Sequence, residues 1–197
     1  MKSLSLSQPH VIIMTGIPGS GKSFFAEKFA ETFHAPYVCQ TKVARLANIE
    51  EASATQVTLY QLQELFKTKQ PIVFDGASET RAERAELTRL AKKAGYETLF
   101  VWIQTDAATA KGRSTKELKG KASPTLSSDE FDRRVKRFTP PNAIEKPMVV
   151  SGKHTYASQA KVVLKKLSAP RAASTQPIEP PVRPTSATSP RRNIVIR

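Results

Sequence analysis

Residues 16–23, with the sequence GIPGSGKS, constrain the fold of this chain more than any other segment. They follow an apolar run over 10–15 (HVIIMT) and precede a stretch with helical spacing over 24–33 (FFAEKFAETF). A glycine-rich turn from a buried strand into a helix matches the phosphate-loop pattern G-x-x-x-x-G-K-[ST], whose backbone N–H groups hold a polyphosphate. Glycines are needed because the main chain must approach the phosphates closely. The pattern predicts nucleotide binding by Gly16, Ile17, Pro18, Gly19, Ser20, Gly21, Lys22 and Ser23.

Strand-like and helix-like segments alternate along the rest of the chain. Apolar runs predict four further strands, at 36–39, 71–75, 98–103 and 148–150. Helical spacing or capping patterns predict helices over about 55–67, from Thr80 to Gly95, and through Ala160 to Leu167. Strands that alternate with helices pair in parallel through right-handed crossovers. We therefore predict an α/β fold, a three-layer α/β/α sandwich with a five-stranded, mainly parallel sheet.

The segment over about 107–141 interrupts this alternation, because it is polar and basic and has no strand signal. Ser127 and Glu130 form a capping pattern, which predicts a helix through Phe138. We interpret the segment as a helical lid inserted between the fourth and fifth strands.

Positive charge is concentrated in the second half of the chain. Residues 1–106 carry a net charge of +1, whereas residues 107–197 carry +13. This asymmetry indicates an anionic partner, such as a nucleotide, a polynucleotide or acidic headgroups, or else a basic surface that only keeps the protein in solution.

The last 30 residues differ in composition from the rest. They contain six prolines and five arginines, with no glycine and no aromatic residue. Such a stretch buries too little apolar surface to offset its chain entropy. We predict a single ATP-binding domain over 1–167, followed by a disordered, basic, proline-rich tail over 168–197.

The chain contains one cysteine, Cys39, which excludes an internal disulfide. Its apolar runs are shorter than a membrane-spanning helix requires. We expect a cytoplasmic monomer with no membrane partner.

Asp75 ends the apolar strand PIVFD, where a carboxylate is expected beside the phosphate loop. It is a candidate catalytic residue and, with the Ser23 hydroxyl, a candidate ligand of Mg²⁺. The alternative is that Asp75 only caps the turn that it forms with Gly76.

Phosphoryl transfer requires positive charge around the transferred group, and small kinases supply it from a lid. Arg113 is the first catalytic candidate because it lies near the hinge of the predicted lid. Arg133 and Arg137, four residues apart, could clamp phosphates together. The full set of lid candidates, of which at most two are expected to touch nucleotide, is Lys111, Arg113, Arg133, Arg134, Lys136 and Arg137.

The order of these motifs resembles that of the P-loop ATP-binding proteins of the polynucleotide kinase and zeta-toxin type, often labelled AAA family ATPases. The resemblance rests on GIPGSGKS, on VFDG with the capped helix after it, and on RFTPPNAIE after the lid, and it spans about 9–167. It implies a kinase that uses Mg·ATP. In that reading Lys22 and Ser23 contact the phosphates and the metal, and Arg113 is the lid arginine.

One position departs from that group. Its members usually carry an Asp just after the second strand, which takes the proton from the acceptor hydroxyl, and an Arg three residues later. Thr41 stands in place of this Asp, and Arg45, a candidate acceptor contact, is displaced by one position. Threonine does not act as a general base near neutral pH. Either Asp75 is the base, or the alignment slips, or transfer is lost while ATP binding remains.

The leading hypothesis is a kinase that transfers the γ-phosphate of ATP to a hydroxyl of a small molecule or a nucleic-acid end. The alternative is an ATP-dependent binding or switch protein with weak or no transfer, which engages an anionic partner. The lid and the continuous sheet favour the first hypothesis, and Thr41 favours the second. A motor ATPase is disfavoured because no helical subdomain follows the last strand.

Overall fold

The computed structural model describes residues 8–116 and 126–168. A parallel sheet forms its centre, with the strand order β2-β3-β1-β4-β5. The strands are β1 His10–Thr15, β2 Tyr37–Cys39, β3 Ile72–Asp75, β4 Glu97–Gln104 and β5 Met148–Ser151. The predicted α/β fold is confirmed. Because all the carboxyl ends lie at one edge, the segments after β1, β3, β4 and β5 meet there.

Seven helices are assigned in the described part of the chain. They are α1 Lys22–Phe33, α2 Gln40–Ala47, α3 Glu51–Phe66, α4 Arg81–Lys93, α5 Ala107–Thr115, α6 Ser128–Arg137 and α7 Tyr156–Leu167, with a short 3-10 turn at Ala143–Glu145. The predicted caps are present, since the side chains of Thr80 and Ser127 accept hydrogen bonds from the N–H groups of Glu83 and Glu130. Helix α2 was not predicted, and α3 begins earlier than expected. Helix α2 spans only eight residues and buries only Gln40, so it is too short for helical periodicity to identify it.

Two apolar cores lie on opposite faces of the sheet, because successive side chains of a strand point to opposite sides. Ile12 and Met14 of β1 face α1 and α7, where Phe25, Phe29 and Val163 are buried. The second core, against α3 and α4, contains Val11, Ile13, Leu62, Phe66, Phe74, Leu87 and Phe100. These two cores give the predicted three-layer arrangement.

The buried Arg84 of α4 fixes the segment that follows the lid. Its Nε donates to Glu145 Oε1 at 2.6 Å, and its Nη1 donates to the carbonyl oxygens of Ser78 and Glu79 at 3.1 and 3.2 Å. The Thr139 N–H donates to the same Glu79 carbonyl at 2.9 Å. Residues 138–145 are thereby held against the start of α4, beside the carboxyl edge of the sheet.

Within the described residues, no helix is both long and apolar enough to span a bilayer. The predicted disordered tail lies outside the described residues apart from Ser168, as do 117–125 of the predicted lid.

Candidate nucleotide-binding site

The phosphate loop is a tight turn between β1 and α1. Gly16, Gly19 and Gly21 have φ angles of 141°, 72° and 106°, a region that side-chain-bearing residues rarely adopt. A Cβ on Gly16 would lie 2.6 Å from the Ile103 carbonyl oxygen, and one on Gly19 would overlap the Ala110 carbonyl oxygen. The glycines therefore give the loop its conformation and let it pack directly on β4 and α5.

The N-terminus of α1 has the features of an anion site. Gly21 precedes the helix and supplies no side-chain cap, and the first turn contains no acidic residue. The Ser20 hydroxyl is buried without a hydrogen-bond partner, while Ser23 is exposed in the first turn. Uncapped N–H groups and an orphaned hydroxyl at the positive end of a helix fit the oxygens of a polyphosphate.

Lys22 lies inside this loop. Its Nζ donates to the carbonyl oxygens of Gly16 and Ile17 at 2.8 and 2.9 Å. Burial lowers the pKa of Lys22, the nearby carboxylates of Asp75 and Glu79 raise it, and the Arg134 guanidinium lowers it. Charged groups from the end of β3, from the segment before α4 and from the lid helix α6 therefore all act on the loop lysine.

Asp75 is buried at the carboxyl end of β3, which lies next to β1 in the sheet. Its Oδ2 is 3.5 Å from the Tyr37 hydroxyl and 3.9 Å from Cys39 Sγ. Burial raises the pKa of both Tyr37 and Cys39, and the Asp75 charge raises each further, so both groups face the carboxylate as neutral donors. Asp75 and the Ser23 hydroxyl supply oxygen ligands of the kind that Mg²⁺ prefers, and these residues fit that metal.

Gly152, directly after β5, brings the β5–α7 loop onto the phosphate loop. A Cβ there would overlap Thr105 Oγ1 and the Ser20 carbonyl oxygen, while Thr105 Oγ1 itself donates to Ser20 O at 3.0 Å. The Gly152 N–H donates to Gln104 O at 2.7 Å, and Arg113 Nη1 donates to the Gly152 carbonyl at 3.3 Å. Arg113, the predicted lid arginine, thus lies at the junction of α5 and the β5–α7 loop.

The arginines of α6 reach across to the starts of α3 and α4. Arg134 pairs with Glu51 of α3, with Glu79 at 3.6 Å and with Glu130 at 3.1 Å. Arg137 pairs with Glu83 and, at 3.8 Å, with Glu79. These contacts hold α6 over the carboxyl edge of the sheet.

The other lid candidates are placed less centrally. The Arg133 side chain is 74% exposed and pairs with Glu130 of its own helix, and Lys111 pairs with Asp132 at 2.8 Å. The structure brings Arg137 together with Arg134, not with Arg133, at the shared carboxylate of Glu79.

Thr41 and Arg45 both lie on α2. Thr41 is the second residue of this helix and is exposed, immediately after β2 ends at Cys39. Arg45 is in the last turn of the same helix and is also exposed. The place just after the second strand therefore holds no carboxylate.

A family model described as an AAA domain matches residues 11–141, more than half of the chain. The chain belongs to this AAA domain family. The match begins in β1 and ends just after the lid helix α6, so it includes the phosphate loop, Asp75 and the described part of the lid. A comparison with curated proteins gives no match.

Solved structures share the fold of this AAA domain at low sequence identity. A gluconokinase from Sinorhizobium meliloti 1021 has a TM-score of 0.60 and 18% identity over 81% of this chain and 91% of its own. Kti12 from Chaetomium thermophilum, in complex with ADP-AlF3, has a TM-score of 0.64 and 17% identity over 79% of this chain and 96% of its own. A sugar kinase from Janibacter sp. HTCC2649 has a TM-score of 0.59 and 16% identity over 80% of this chain and 93% of its own. The AAA domain thus has the fold of P-loop kinases.

A cavity of about 600 Å³ opens beside the phosphate loop, above β4 and β5. Its walls include Ile17, the half-buried Trp102, Val149 and Phe138, and the two aromatic rings are 6.3 Å apart. Lys153 and Asp106 pair at its rim at 2.9 Å. Trp102 belongs to the apolar strand β4, but this AAA domain leaves it partly exposed at a concave surface.

Glu79 was not predicted to be a site residue, and Arg134 had no priority among the six predicted lid cations. Glu79 comes just before the N-cap Thr80 and four residues after Asp75. That position on the carboxyl side of a buried strand is the signal that could have marked it.

Proposed function

We propose that this AAA domain is a phosphotransferase that moves the γ-phosphate of Mg·ATP to a hydroxyl acceptor. The observation that carries the proposal is the set of charged groups around Lys22. Asp75 lies at the end of β3 and Glu79 shortly after it, Arg134 comes from the lid helix α6, and the charge of each influences the pKa of that lysine. Nucleotide binding would use the loop and Asp75 at the metal, whereas phosphoryl transfer would also use a second carboxylate and a lid arginine.

The phosphate loop would bind ATP through the N–H groups of residues 19–23, with Lys22 meeting the β- and γ-phosphates. Lys22 already lies within the loop, so little rearrangement is required for this contact. Ser23 and Asp75 would hold Mg²⁺, which when bound neutralises charge on the phosphate oxygens.

The lid would supply the remaining positive charge. Arg113, whose Nη1 donates to the Gly152 carbonyl, would act from the hinge of the lid. Arg134 shares the surroundings of Lys22 and is 26% exposed. At most two lid cations are expected to touch nucleotide, and we assign those contacts to these arginines. Their charge would stabilise the transferring phosphoryl group.

A second candidate is an ATP-dependent switch protein without efficient acceptor transfer. The placement of Thr41 favours this alternative, because this exposed threonine occupies the position where kinases of the polynucleotide kinase and zeta-toxin type carry their general base. In that case the basic lid would close on an anionic partner such as a nucleic acid. A cytoplasmic location and a monomeric state remain predictions under both candidates.

One experiment separates the two candidates. The protein is incubated with γ-labelled ATP, Mg²⁺ and a panel of hydroxyl acceptors that includes sugars, nucleosides and 5′-hydroxyl oligonucleotides. Label on an acceptor supports the phosphotransferase. Label found only as free phosphate, or remaining on ATP, supports the switch protein. The Lys22→Ala variant serves as the blank for contaminating kinases.

A further inference from the structure

The reaction proposed above needs a group that takes the proton from the acceptor hydroxyl, and two candidates are poorly suited to this role. Thr41 is exposed on α2 and is not a base near neutral pH. Asp75 is buried among Tyr37 and Cys39 at the end of β3 and is the carboxylate that fits the metal. A further carboxylate is therefore required close to Lys22.

We propose that Glu79 is the general base of this site. The inference rests on the proposed phosphotransfer and adds a catalytic residue to it. Among the carboxylates, only Asp75 and Glu79 figure in the electrostatic surroundings of Lys22 in the described part of the chain. Ser78, the residue before Glu79, is hydrogen-bonded to the end of β1, because its Oγ donates to Met14 O at 2.6 Å and its carbonyl oxygen accepts from Thr15 Oγ1 at 3.1 Å. Glu79 therefore follows a residue that is fixed directly before the phosphate loop.

The backbone of Glu79 is fixed from two directions. Its carbonyl oxygen accepts hydrogen bonds from the Thr139 N–H at 2.9 Å and from Arg84 Nη1 at 3.2 Å. The next residue, Thr80, caps α4. The Cα from which the Glu79 side chain departs is therefore fixed relative to α4 and to residue 139, as a positioned base requires.

The Glu79 carboxylate remains open to a hydrogen-bond donor. Its Oε1 is 3.6 Å from Arg134 Nη1, and its Oε2 is 3.8 Å from Arg137 Nε. Both separations exceed hydrogen-bond length, so these arginines neutralise the charge without occupying the acceptor lone pairs. In contrast, Glu51 and Glu83 form direct hydrogen bonds with the same two arginines.

The surroundings also adjust the proton affinity of Glu79. Its side chain is 18% exposed. Burial raises its pKa, the cations Arg134, Lys22 and Arg137 lower it, and the negative charge of Glu51 raises it. The result is a pKa above the ordinary carboxyl value, which makes the group a stronger base than an exposed glutamate.

The step balances without a further reactant. The acceptor oxygen forms a bond to the γ-phosphorus while the bond between that phosphorus and the β-phosphate oxygen breaks, and ADP leaves. The hydroxyl proton passes to the Glu79 carboxylate and is released to solvent after the phosphorylated product departs.

Glu79→Gln tests the proposal because it keeps the size of the side chain and removes its ability to take a proton. Glu83→Gln is the matched control, since it removes a charge from the same cluster while glutamine still serves in the capping box of α4. Turnover is measured with γ-labelled ATP, both on the acceptor panel and as free phosphate with water as the acceptor. Calorimetry gives the ATP affinity, and a melting curve verifies folding.

We expect Glu79→Gln to lower turnover by about 100-fold or more, to leave ATP affinity within a few-fold, and to abolish the acidic limb of the pH–rate profile. Glu79→Asp should retain part of the turnover and that limb, and Glu83→Gln should match the wild type. Near-wild-type turnover in a folded Glu79→Gln, or equal losses in Glu79→Gln and Glu83→Gln, would overturn the role of Glu79 while phosphotransfer stands. A wild-type protein that labels no acceptor would contradict the proposed function itself, and Glu79 would then have no acceptor proton to take.

Discussion

Arg84 and Glu145 form a buried ion pair across 61 residues of sequence, with Nε and Oε1 2.6 Å apart. Arg84 is fully buried, and the Glu145 side chain is 14% exposed. Glu145 also accepts from the Asn142 N–H at 2.8 Å. The pair joins α4 to the segment after the lid, so it sets the position of Phe138, Thr139 and the arginines that precede them.

Glu145→Ala should destabilise the fold by about 3–5 kcal/mol, because it leaves the Arg84 guanidinium buried without its counter-charge. Chemical denaturation measures this free energy of unfolding. Glu86→Ala on α4 is the control, since Glu86 pairs with Arg89 in solvent and surface pairs contribute little. A stability equal to that of the control would mean that the pair does not hold the post-lid segment.

The same carboxylate predicts a pH dependence. Burial opposes ionisation of Glu145, but hydrogen bonds from Arg84 and Asn142 hold its pKa below the ordinary 4.5. A lowered pKa in the folded state contributes stability above the unfolded value, and this contribution is lost as the pH falls through the folded value. The melting temperature should fall below about pH 4.5 more steeply in the wild type than in Glu145→Gln. Parallel curves would contradict the assignment.

Gly152→Ala should weaken ATP binding, because the new Cβ would push the β5–α7 loop off Thr105 and Ser20. We expect a loss of about 10-fold or more, since displacing a binding loop by an ångström has large effects. Gly112→Ala on α5 is the control. It meets no atom within 4 Å, and alanine is favoured over glycine in a helix by about 0.5–1 kcal/mol. Calorimetric titration with ATP compares the two variants. Equal affinities would show that ATP binding does not depend on contact between the β5–α7 loop and the phosphate loop.

Arg113→Ala should lower turnover by about 100-fold while ATP affinity changes little, if the arginine acts mainly on the transition state. Arg133→Ala should have no such effect, because Arg133 is exposed and pairs within its own helix. Steady-state rates and calorimetry separate the two quantities. Equal losses of rate and affinity in Arg113→Ala would assign it to binding of ground-state phosphate alone.

The parts of the site that are local in sequence were predictable, and those that depend on long-range packing were not. The phosphate loop and Asp75 could be predicted because each lies at the end of an apolar strand or directly after it, so residues adjacent in the sequence are enough to identify it. Glu79 and Arg134 are 55 residues apart and meet only because α6 folds back over α4. Helix α2 was missed because it buries a single glutamine and is specified by contact with α3, where Gln40 Nε2 donates to Thr55 Oγ1 at 2.9 Å.

Trp102, on the other side of the site, is a further residue whose surroundings could not be predicted from the sequence. An aromatic residue within an apolar strand is usually buried in a core. Here the sheet face above β4 and β5 is covered by Phe138 from the post-lid segment instead of a helix, which leaves a cavity. The sequence of β4 does not indicate which element will cover this face of the sheet.

The assignment of residues 16–23 as the phosphate-binding loop is tested most directly by the affinity of Lys22→Ala for Mg·ATP. Calorimetry measures this affinity beside those of the wild type and Lys28→Ala. Lys28 is an exposed lysine on α1 that contacts the Phe24 ring, and its variant should bind as the wild type does. We expect the wild type and Lys28→Ala to bind Mg·ATP, and we expect no detectable binding by Lys22→Ala. Micromolar affinity retained by Lys22→Ala would contradict the assignment of residues 16–23 as the phosphate-binding loop.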